Sequence, residues 1–293
     1  MLSGVALITG AGGCGIGSAI SRAFAKSGAT KLILTDINPK TLAQTVDAIK
    51  SASSSSSSSA AGAGGIPPEI LALDGDISDT RFIDHLFDQV RSKFGRLDYA
   101  INNAGISGNN QPSDQSSISD FDKITNINYR ALWYCSKKEL EIMKTQEISS
   151  QAQTQTQMQA QGRGQRGSIV NIASQLGIVG RPDAPIYCAS KSAVIGLTRC
   201  DAIDAAPYQI RVNAVCPGII HTPMTDNSLR PALIEGKKDM QRPMDLTESV
   251  NIAPMRRMGT PEEVADVVVF LSSEKASFVQ GASWVVDGGY TIN

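Results

Sequence analysis

A tyrosine and a lysine four residues apart could together carry proton-transfer chemistry. Tyr187 and Lys191 stand in the stretch YCASK, and the residues that follow read as a helix, which brings both side chains to one face. A phenol has a pKa of about 10 and is a poor base near neutral pH. A fixed ammonium one turn away favours the phenolate and lowers that pKa, so Tyr187 becomes a candidate general acid and base.

The serine that ends the preceding apolar run is a second candidate. Ser174 follows the run 168–173, whose length and composition are typical of a buried strand. A hydroxyl at the carboxyl end of such a strand can donate a hydrogen bond to a substrate oxygen as negative charge builds on that oxygen. The pattern Tyr-x-x-x-Lys also occurs by chance on solvated helices, so the rest of the chain must decide whether these residues form a site.

Composition bounds the number of domains and excludes two classes of partner. The chain has 293 residues, of which 41% are hydrophobic and 19% charged, so it can bury the core of one large α/β domain or two small ones. A net charge of −1 without a basic block argues against nucleic acid and anionic membrane as main partners. The apolar start 5–8 is too short for a signal or membrane segment, and we predict a cytoplasmic protein.

The cysteines and histidines argue against disulfide and metal chemistry. Five cysteines are scattered without paired spacing, which indicates reduced thiols in a cytosolic setting. The two histidines of the sequence, His85 and His221, are too few for a histidine metal cluster and stand far apart along the chain. We therefore predict no metal site and no histidine-based triad.

A glycine-rich segment near the amino terminus indicates a dinucleotide site. The buried-strand pattern 4–8 leads into TGAGGCGIG at 9–17, after which Ile16, Ile20 and Phe24 mark one face of a helix. Glycines let the backbone approach a pyrophosphate, whose charge the amino end of the helix stabilises. Strand, glycines and helix come in the required order, which favours this interpretation over an ordinary glycine-rich turn.

Asp36, at the end of the second predicted strand 32–35, bears on the choice of cofactor. A carboxylate at this point is placed to accept hydrogen bonds from the adenosine ribose hydroxyls. It would also repel a 2′-phosphate, and neither Ile37 nor the glycine-rich loop supplies an arginine. This favours NAD over NADP, with a solvated turn aspartate as the alternative.

Two low-complexity tracts interrupt the pattern. The serine-rich tract 51–66 and the glutamine-rich tract 151–167 have almost nothing to bury and are predicted to be surface insertions. A third strand at 69–73 precedes Asp76, for which an adenine contact and a helix cap are equally open. The next helix is predicted to turn Phe82, Leu86 and Val90 inward.

The fourth strand, 97–101, leads into Asn102-Asn103-Ala104-Gly105. Asparagine and glycine there suit a turn in which side-chain amides brace the backbone, although a plain turn explains them too. Ser119 is then predicted to cap a long helix from 120 to about 145, which contains Asn128. An asparagine in the middle of a helix is structural on this observation alone.

The segment from about 219 to 260 is irregular and rich in methionine. It follows a strand at 211–216 and the Pro217-Gly218 break, and it precedes a helix at 260–271 and a strand at 282–286. Flexible thioethers adapt to bulky apolar partners, which predicts a movable lid over a hydrophobic substrate. Packing against a neighbouring subunit is the alternative. The methionines are Met224, Met240, Met244, Met255 and Met258.

Strands that alternate with amphipathic helices predict an α/β fold with a doubly wound parallel sheet, in a single domain 1–293. Several motifs in this order resemble those of the classical short-chain dehydrogenase/reductase family, which has a Rossmann fold. The matching features are TGAGGCGIG at 9–17 (one residue longer than the family's TGxxxGxG), NNAG at 102–105, Ser174, YxxxK at 187–191 and the Pro-Gly turn at 217–218.

The resemblance implies an NAD(P)-dependent oxidoreductase that interconverts a secondary alcohol and a ketone. Tyr187 would exchange the proton of the substrate hydroxyl, Ser174 would hold the same oxygen, and Lys191 would lower the pKa of Tyr187 and bond the nicotinamide ribose. Asn128 would anchor a proton-relay water. The implied cofactor-contacting positions are Gly10, Gly15, Ile16, Gly17, Asp36, Asp76, Ile77, Asn103, Ala104, Gly105, Tyr187, Lys191, Pro217, Gly218, Ile219 and Thr222.

Two other classes of function stay open. A nucleotide-binding regulator would keep the fold without catalysis, but it would not need Ser174, Tyr187, Lys191 and Asn128 together. An epimerase or dehydratase would recycle tightly held NAD. A serine hydrolase lacks a Gly-x-Ser-x-Gly elbow around Ser174. The expected partners are a bulky apolar alcohol or ketone and, by resemblance, further copies of this chain in a homotetramer or homodimer.

Overall fold

A parallel sheet of seven strands runs through the molecule in the order β3-β2-β1-β4-β5-β6-β7. The computed structural model describes residues 2–55, 67–148, 164–226 and 250–292. The strands are β1 (Val5–Thr9), β2 (Lys31–Asp36), β3 (Glu69–Asp74), β4 (Tyr99–Asn102), β5 (Gly167–Ile172), β6 (Ile210–Pro217) and β7 (Ser283–Val286). The strand order reverses between β1 and β4, and a crevice at the carboxyl ends of the strands forms there in sheets of this kind.

Helices cover both faces of the sheet. They are α1 (Ile16–Lys26), α2 (Pro39–Ser55), α3 (Thr80–Phe94), α4 (Ile118–Thr125), α5 (Leu132–Met143), α6 (Pro185–Ala205) and α7 (Pro261–Ser272). The predicted doubly wound α/β fold in one domain is confirmed.

Alternate residues of β1, an interior strand, pack on opposite faces of the sheet. Ala6 and Ile8 of β1 pack in one buried cluster with residues of α1 and α7, whereas Val5 and Leu7 pack in a second cluster with residues of α3 and α5. A strand buried on both faces has no polar side, which is why this segment reads as a continuous apolar run. The sheet therefore forms a rigid platform whose carboxyl edge can hold side chains in fixed positions.

Two boundaries and the burial of one side chain differ from the sequence predictions. Residues 51–55 continue α2, with the Ser53 hydroxyl donating to the Ile49 carbonyl at 3.0 Å, so the first predicted insertion begins too early; residues 56–66 lie outside the described residues. The second insertion ends before Arg166, whose backbone N–H donates to the Gln209 carbonyl at 2.8 Å, and Gly167 begins β5. In α3, Phe82 is only half-buried because it packs over Gly75.

Candidate active site

The glycine-rich turn is closed so tightly that two of its residues must be glycine. A Cβ on Gly17 would lie 2.0 Å from the Gly10 carbonyl oxygen, and Gly10 itself has φ +63°. Gly15, at the N-cap of α1, has no side-chain cap, and nothing lies within 4 Å of where its Cβ would be. The first N–H groups of α1 therefore face an open space at a helix amino end, which fits the pyrophosphate of a dinucleotide.

Asp36 lies beside this turn at the end of β2. Its Oδ2 accepts a hydrogen bond from the Gly12 N–H at 2.8 Å, and its Oδ1 accepts one from the Asn38 N–H at 3.0 Å. The carboxylate is thus fixed by main-chain donors and is half-buried. Each carboxylate oxygen can accept two hydrogen bonds, so both retain capacity for ribose hydroxyls.

The sequence left two roles open for Asp76, a cofactor contact and a cap of the next helix. The prediction of a cap is wrong. The N-cap of α3 is Asp79, which accepts from the Arg81 N–H at 2.9 Å. Asp76 instead accepts from the N–H and the hydroxyl of Ser78, both at 2.8 Å, and it is exposed beyond the end of β3. Ile77 packs at the edge of the buried cluster under α3. A contact of Asp76 or Ile77 with adenine stays a prediction.

Asn103 braces the glycine-rich turn across the point where the strand order reverses. Its Nδ2 donates to the carbonyls of Thr9 and Gly10, each at 3.0 Å. The Thr9 hydroxyl accepts from the N–H groups of Asn103 and Ala104 at 3.0 and 3.1 Å. The sequence predicted amides bracing the turn at 102–105 itself; the Asn103 amide instead braces the neighbouring glycine-rich turn, and the Thr9 hydroxyl holds the backbone at 103–104.

The catalytic candidates converge at the carboxyl end of β5. Ser174 follows that strand, and α6 carries both Tyr187 and Lys191. The Lys191 ammonium lies 5.9 Å from the centre of the Tyr187 ring and donates to the Ile172 carbonyl at 2.9 Å. The Ser174 hydroxyl lies near enough to Tyr187 to favour the phenolate and oppose a rise in its pKa. Ser174 is 8% exposed and Lys191 5%, whereas Tyr187 is half-buried, so the group is partly withdrawn from water.

Burial shifts the pKa values of this pair in directions that the sequence did not predict. Desolvation raises the pKa of Tyr187 above its ordinary value, while the Ser174 hydrogen bond and the charge of Arg181 oppose that rise. Desolvation also lowers the pKa of Lys191 to about 8. The expectation that the lysine alone would lower the pKa of Tyr187 is therefore wrong for the protein by itself, because the cost of removing a phenolate from water is the larger effect.

Asn128 lies in a break within the predicted long helix. The helix is capped by Ser117 rather than Ser119, through a capping box with Asp120, and it consists of α4, a π-helical segment Asn126–Ala131 and α5. The π segment was missed, since a wide turn has no residue periodicity of its own in so short a stretch. Such segments occur frequently at functional sites.

The π segment places the Asn128 side chain inward, where it holds the loop after β4. Asn128 is fully buried; its Oδ1 accepts from the Ile106 N–H at 2.8 Å and its Nδ2 donates to the Ile106 carbonyl at 3.0 Å. A Cβ on Gly105 would lie 3.2 Å from the Asn128 Oδ1 and 3.6 Å from the Lys191 ammonium. Asn128, Gly105 and Lys191 thus lie side by side.

The Pro217-Gly218 turn closes the other side of the site. A Cβ on Gly218 would lie 2.6 Å from the Asp287 Cα, and the Gly218 N–H donates to the Val286 carbonyl at 2.8 Å. Ile219 borders a cavity of about 490 Å³ that is also lined by Gln175 and Tyr290. Thr222 is buried, with its hydroxyl 3.1 Å from that of Thr225.

Only the ends of the predicted lid, 219–226 and 250–260, belong to the described residues. Met224 and Met255 are exposed there, Met258 is half-buried, and Met240 and Met244 lie outside the described residues. Met255 lines the cavity beside Ile219. The lid as a whole stays a prediction.

Within the described ranges, no group of three or more His, Cys, Asp or Glu residues could hold a metal ion. In the same part of the chain, every helix is too short or too polar to cross a membrane.

Comparison with known proteins covers nearly the whole chain. The family described as Enoyl-(Acyl carrier protein) reductase matches residues 10–291. The chain is 35% identical over 292 residues to a short-chain dehydrogenase of Penicillium roqueforti, covering 99% of this chain and 97% of that protein. It is 34% identical to levodione reductase of Leifsonia aquatica, over 97% of this chain and 93% of that protein.

Two further matches agree. Cyclopentanol dehydrogenase of a Comamonas species is 33% identical, with 99% of this chain and 97% of that protein covered. The crystal structure of levodione reductase superimposes with a TM-score of 0.80 at 33% identity, covering 98% of this chain and 97% of that one. The likeness therefore extends beyond the motifs to the entire sheet and its helices.

Proposed function

Because the chain belongs to the short-chain dehydrogenase/reductase family, we propose that it interconverts a secondary alcohol and a ketone on a bulky apolar molecule, with NAD preferred over NADP. That the enzyme is an NAD(P)-dependent oxidoreductase of CH–OH and C=O groups follows from the family. The observation that carries the proposed catalysis is the convergence of Ser174, Tyr187 and Lys191 beside the buried Asn128. The cofactor preference and the substrate class rest on Asp36 and on the surroundings of Ile219.

Tyr187 and Ser174 act on one substrate oxygen. In oxidation, the Tyr187 phenolate oxygen takes the proton of the substrate hydroxyl, and in reduction the phenol returns it. The Ser174 hydroxyl donates a hydrogen bond to the same oxygen; its own Oγ accepts from the Leu176 N–H at 3.1 Å, which leaves its proton free to point toward substrate. Bound NAD(P) supplies the hydride acceptor for oxidation and the hydride donor for reduction.

Lys191 and Asn128 manage the charge and the proton behind Tyr187. With a pKa of about 8, Lys191 is mostly protonated at neutral pH, so its ammonium stabilises the phenolate that burial disfavours. The Ile172 carbonyl takes one of the three ammonium protons, and the other two stay available for a ribose hydroxyl and for solvent. Asn128 anchors the water through which the proton reaches solvent.

The cofactor preference rests on Asp36. Its carboxylate is fixed by the Gly12 and Asn38 N–H groups at the edge of the glycine-rich turn, where it would accept from ribose hydroxyls and repel a 2′-phosphate. The remaining proposed contacts are Gly10, Gly15, Ile16 and Gly17 at the pyrophosphate, Asp76 and Ile77 at the adenine, Asn103, Ala104 and Gly105 behind the ribose, and Pro217, Gly218, Ile219 and Thr222 at the nicotinamide.

The surroundings of Ile219 support the proposed substrate class. Ser174, Tyr187 and Lys191 do not line the cavity there, but Gln175, the residue after Ser174, does. The neighbouring cavity of about 490 Å³ is lined largely by apolar side chains, among them Ile220, Val286 and Met255. One relative is named for levodione and another for cyclopentanol, which is a secondary alcohol on a ring. We therefore propose an alicyclic or similarly bulky apolar substrate, of the kind handled in specialised metabolism.

A substrate panel tests this proposal. Secondary alcohols and ketones of increasing apolar bulk are offered with NAD and with NADP, and the absorbance of the reduced nicotinamide is followed. We expect cyclic substrates to exceed small acyclic ones in kcat/KM and NAD to exceed NADP. Equal rates for all substrates, or a preference for charged ones, would contradict the apolar assignment.

We propose that the enzyme is a homotetramer or homodimer. Ile118 and Phe121 of α4 and Trp133 of α5 are 77%, 49% and 46% exposed on adjacent helices, and apolar side chains of this size are normally covered. Light scattering at micromolar concentration tests the proposal, and a monomer would contradict it.

A further inference from the structure

A fully buried glutamate lies behind the glycine-rich turn at 9–17 and takes no part in the proposed reaction. Glu139 of α5 is 0% exposed, and its Oε2 accepts from the Asn102 Nδ2 at 3.0 Å. Its Oε1 has no hydrogen-bond partner among the described residues, and neither has the Oδ1 of Asn102. Two acceptor oxygens without a hydrogen-bond donor thus lie on the same pair of residues. A protonated Glu139 would supply the missing donor, because a carboxylic acid carries one O–H group beside its acceptor oxygen.

Asn102 is part of a buried ladder of neutral side chains. Its Nδ2 also donates to the Asn171 Oδ1 at 3.0 Å, and the Asn171 Nδ2 donates to the Thr198 hydroxyl at 2.9 Å. Thr198 in turn donates to the Val194 carbonyl at 2.8 Å. The ladder joins α5, β4, β5 and α6, and each member has an assigned donor and acceptor except at its Glu139 end.

No cation faces Glu139 from the described elements packed against it. On the outer side of α5, the flanking Lys137 pairs with Glu141 and Lys138 pairs with Asp84 of α3. From α3, Arg91 also reaches Glu141.

The titratable groups that do face Glu139 make a negative charge there less favourable. Asp201 of α6, which accepts a hydrogen bond from the Ser136 hydroxyl at 2.6 Å, repels a charge on Glu139. Cys135, which lies on α5 like Glu139, is buried and uncharged. From β4, Glu139 meets the Asn102 amide, which in turn donates to the Asn171 amide of β5.

We propose that Glu139 is a protonated carboxylic acid in the folded enzyme and that it positions the glycine-rich turn by pairing with the Asn102 amide through two hydrogen bonds. In this pairing Oε2 accepts from the Asn102 Nδ2, and the acid O–H on Oε1 donates to the Asn102 Oδ1. The pairing satisfies both leftover oxygens at once. Burial raises the pKa of Glu139 to about 8, which agrees with a proton held at neutral pH.

The consequence for function passes through the next residue. Asn103 braces Thr9 and Gly10, so a change in how Asn102 is held moves the brace of the glycine-rich turn. When pH rises through about 8, Glu139 loses its proton, the donated bond is lost, and the carboxylate repels the Asn102 Oδ1. Cofactor affinity then falls. This step rests on the proposed cofactor site, whereas the protonation of Glu139 does not.

Glu139→Gln is the informative variant, because its amide can make both hydrogen bonds with Asn102 at any pH. The dissociation constant of NADH is measured by fluorescence titration from about pH 6 to about pH 9.5 in both proteins. We expect equal affinities at the acidic end and a three- to tenfold weaker affinity of the wild type at the alkaline end. Glu141→Gln, on the exposed side of the same helix, is the matched control and should follow the wild type.

Taking the ratio of wild type to Glu139→Gln removes the titration of Lys191, which is common to both proteins. Superimposable pH profiles would overturn the positioning role, and so would weaker binding by Glu139→Gln at about pH 6. Failure of every protein to bind NADH would instead refute the proposed function.

Two measurements test the protonation itself without cofactor. Because the folded pKa is raised from 4.5 to about 8, the wild type should lose stability relative to Glu139→Gln as pH rises through that window. The infrared spectrum of the wild type should also contain the carbonyl band of a buried carboxylic acid near neutral pH that disappears above about pH 9. Absence of that band near neutral pH would overturn the proposal even if the variant failed to fold.

Discussion

The proposed nucleotide half of the site and its proposed catalytic half are built by different means. Around β1 and β2, positions are set by the main chain: Gly17 packs on the Gly10 carbonyl, and main-chain N–H groups fix a half-buried Asp36. Around β5 and α6, positions are set by buried polar side chains, and desolvation is the largest influence on the pKa values of Tyr187 and Lys191.

The difference separates binding from chemistry. A half-buried carboxylate held by N–H groups costs little and serves recognition, whereas a half-buried phenol beside a fully buried ammonium costs stability and gains reactivity. Substitutions in the catalytic half should therefore change turnover and pH dependence, and those in the nucleotide half should change fit and cofactor choice.

The strongest test of this division is Tyr187→Phe. Removing the phenolic oxygen eliminates the group that exchanges the substrate proton, while the glycine-rich turn and Asp36 are untouched. We expect turnover to fall by several orders of magnitude with NADH affinity retained. Steady-state rates and a fluorescence titration of NADH check both parts, and activity near that of the wild type would exclude Tyr187 as the acid and base.

Lys191→Met should raise stability while it lowers activity. Burial lowers the pKa of Lys191 from 10.5 to about 8. Below about pH 8 the folded protein therefore holds a desolvated charge on Lys191, which costs stability, whereas in the unfolded chain the same charge is hydrated. The methionine variant should be more stable near pH 7 by up to about 3 kcal/mol, less the lost bond to the Ile172 carbonyl.

This gain should shrink as pH rises from about 8 to about 10.5, because the wild-type lysine then loses its charge in both states. Chemical denaturation at several pH values measures it. A gap that is constant with pH would show that the charge of Lys191 is not the cause.

In the nucleotide half, Gly17→Ala and Gly15→Ala form a matched pair. An alanine Cβ at 17 would lie 2.0 Å from the Gly10 carbonyl oxygen, so the turn must move, at a cost of about 1–3 kcal/mol. At Gly15 nothing lies within 4 Å and φ is −87°, which alanine adopts without strain. Thermal unfolding should show a lower midpoint for the first variant alone; equal midpoints would refute the tight closure.

Asp36→Ala should have the smallest effect. Loss of the carboxylate removes an acceptor for ribose hydroxyls and the repulsion of a 2′-phosphate, so the preference for NAD over NADP should narrow by about tenfold. The ratio of kcat/KM for the two cofactors measures it. An unchanged or wider preference for NAD would mean that Asp36 does not contact the ribose.

How far the sequence predicts the molecule follows the same division. The strand, glycine turn and helix at the amino terminus were predicted because these are local patterns. The cap at Ser117 and the π segment around Asn128 were missed, since neighbouring serines look alike and a wide turn leaves no periodic trace.

The chemistry of the catalytic half was harder still. The raised pKa of Tyr187 and the buried Glu139 depend on what packs around them from distant parts of the chain, and residue spacing does not report burial. The motifs therefore selected the residues of the proposed site, whereas the electrostatics around those residues required the structure.

The pH dependence of alcohol oxidation, measured with saturating cofactor in the wild type and in Lys191→Met, tests the central claim most directly. If the Lys191 ammonium stabilises the Tyr187 phenolate as the proton acceptor, kcat/KM of the wild type rises with pH to a plateau. The apparent pKa of that rise should lie below the ordinary tyrosine value of about 10. In Lys191→Met the rise should move to higher pH. Profiles that superimpose after scaling would contradict the claim, because the ammonium would then have no influence on the group that carries the proton.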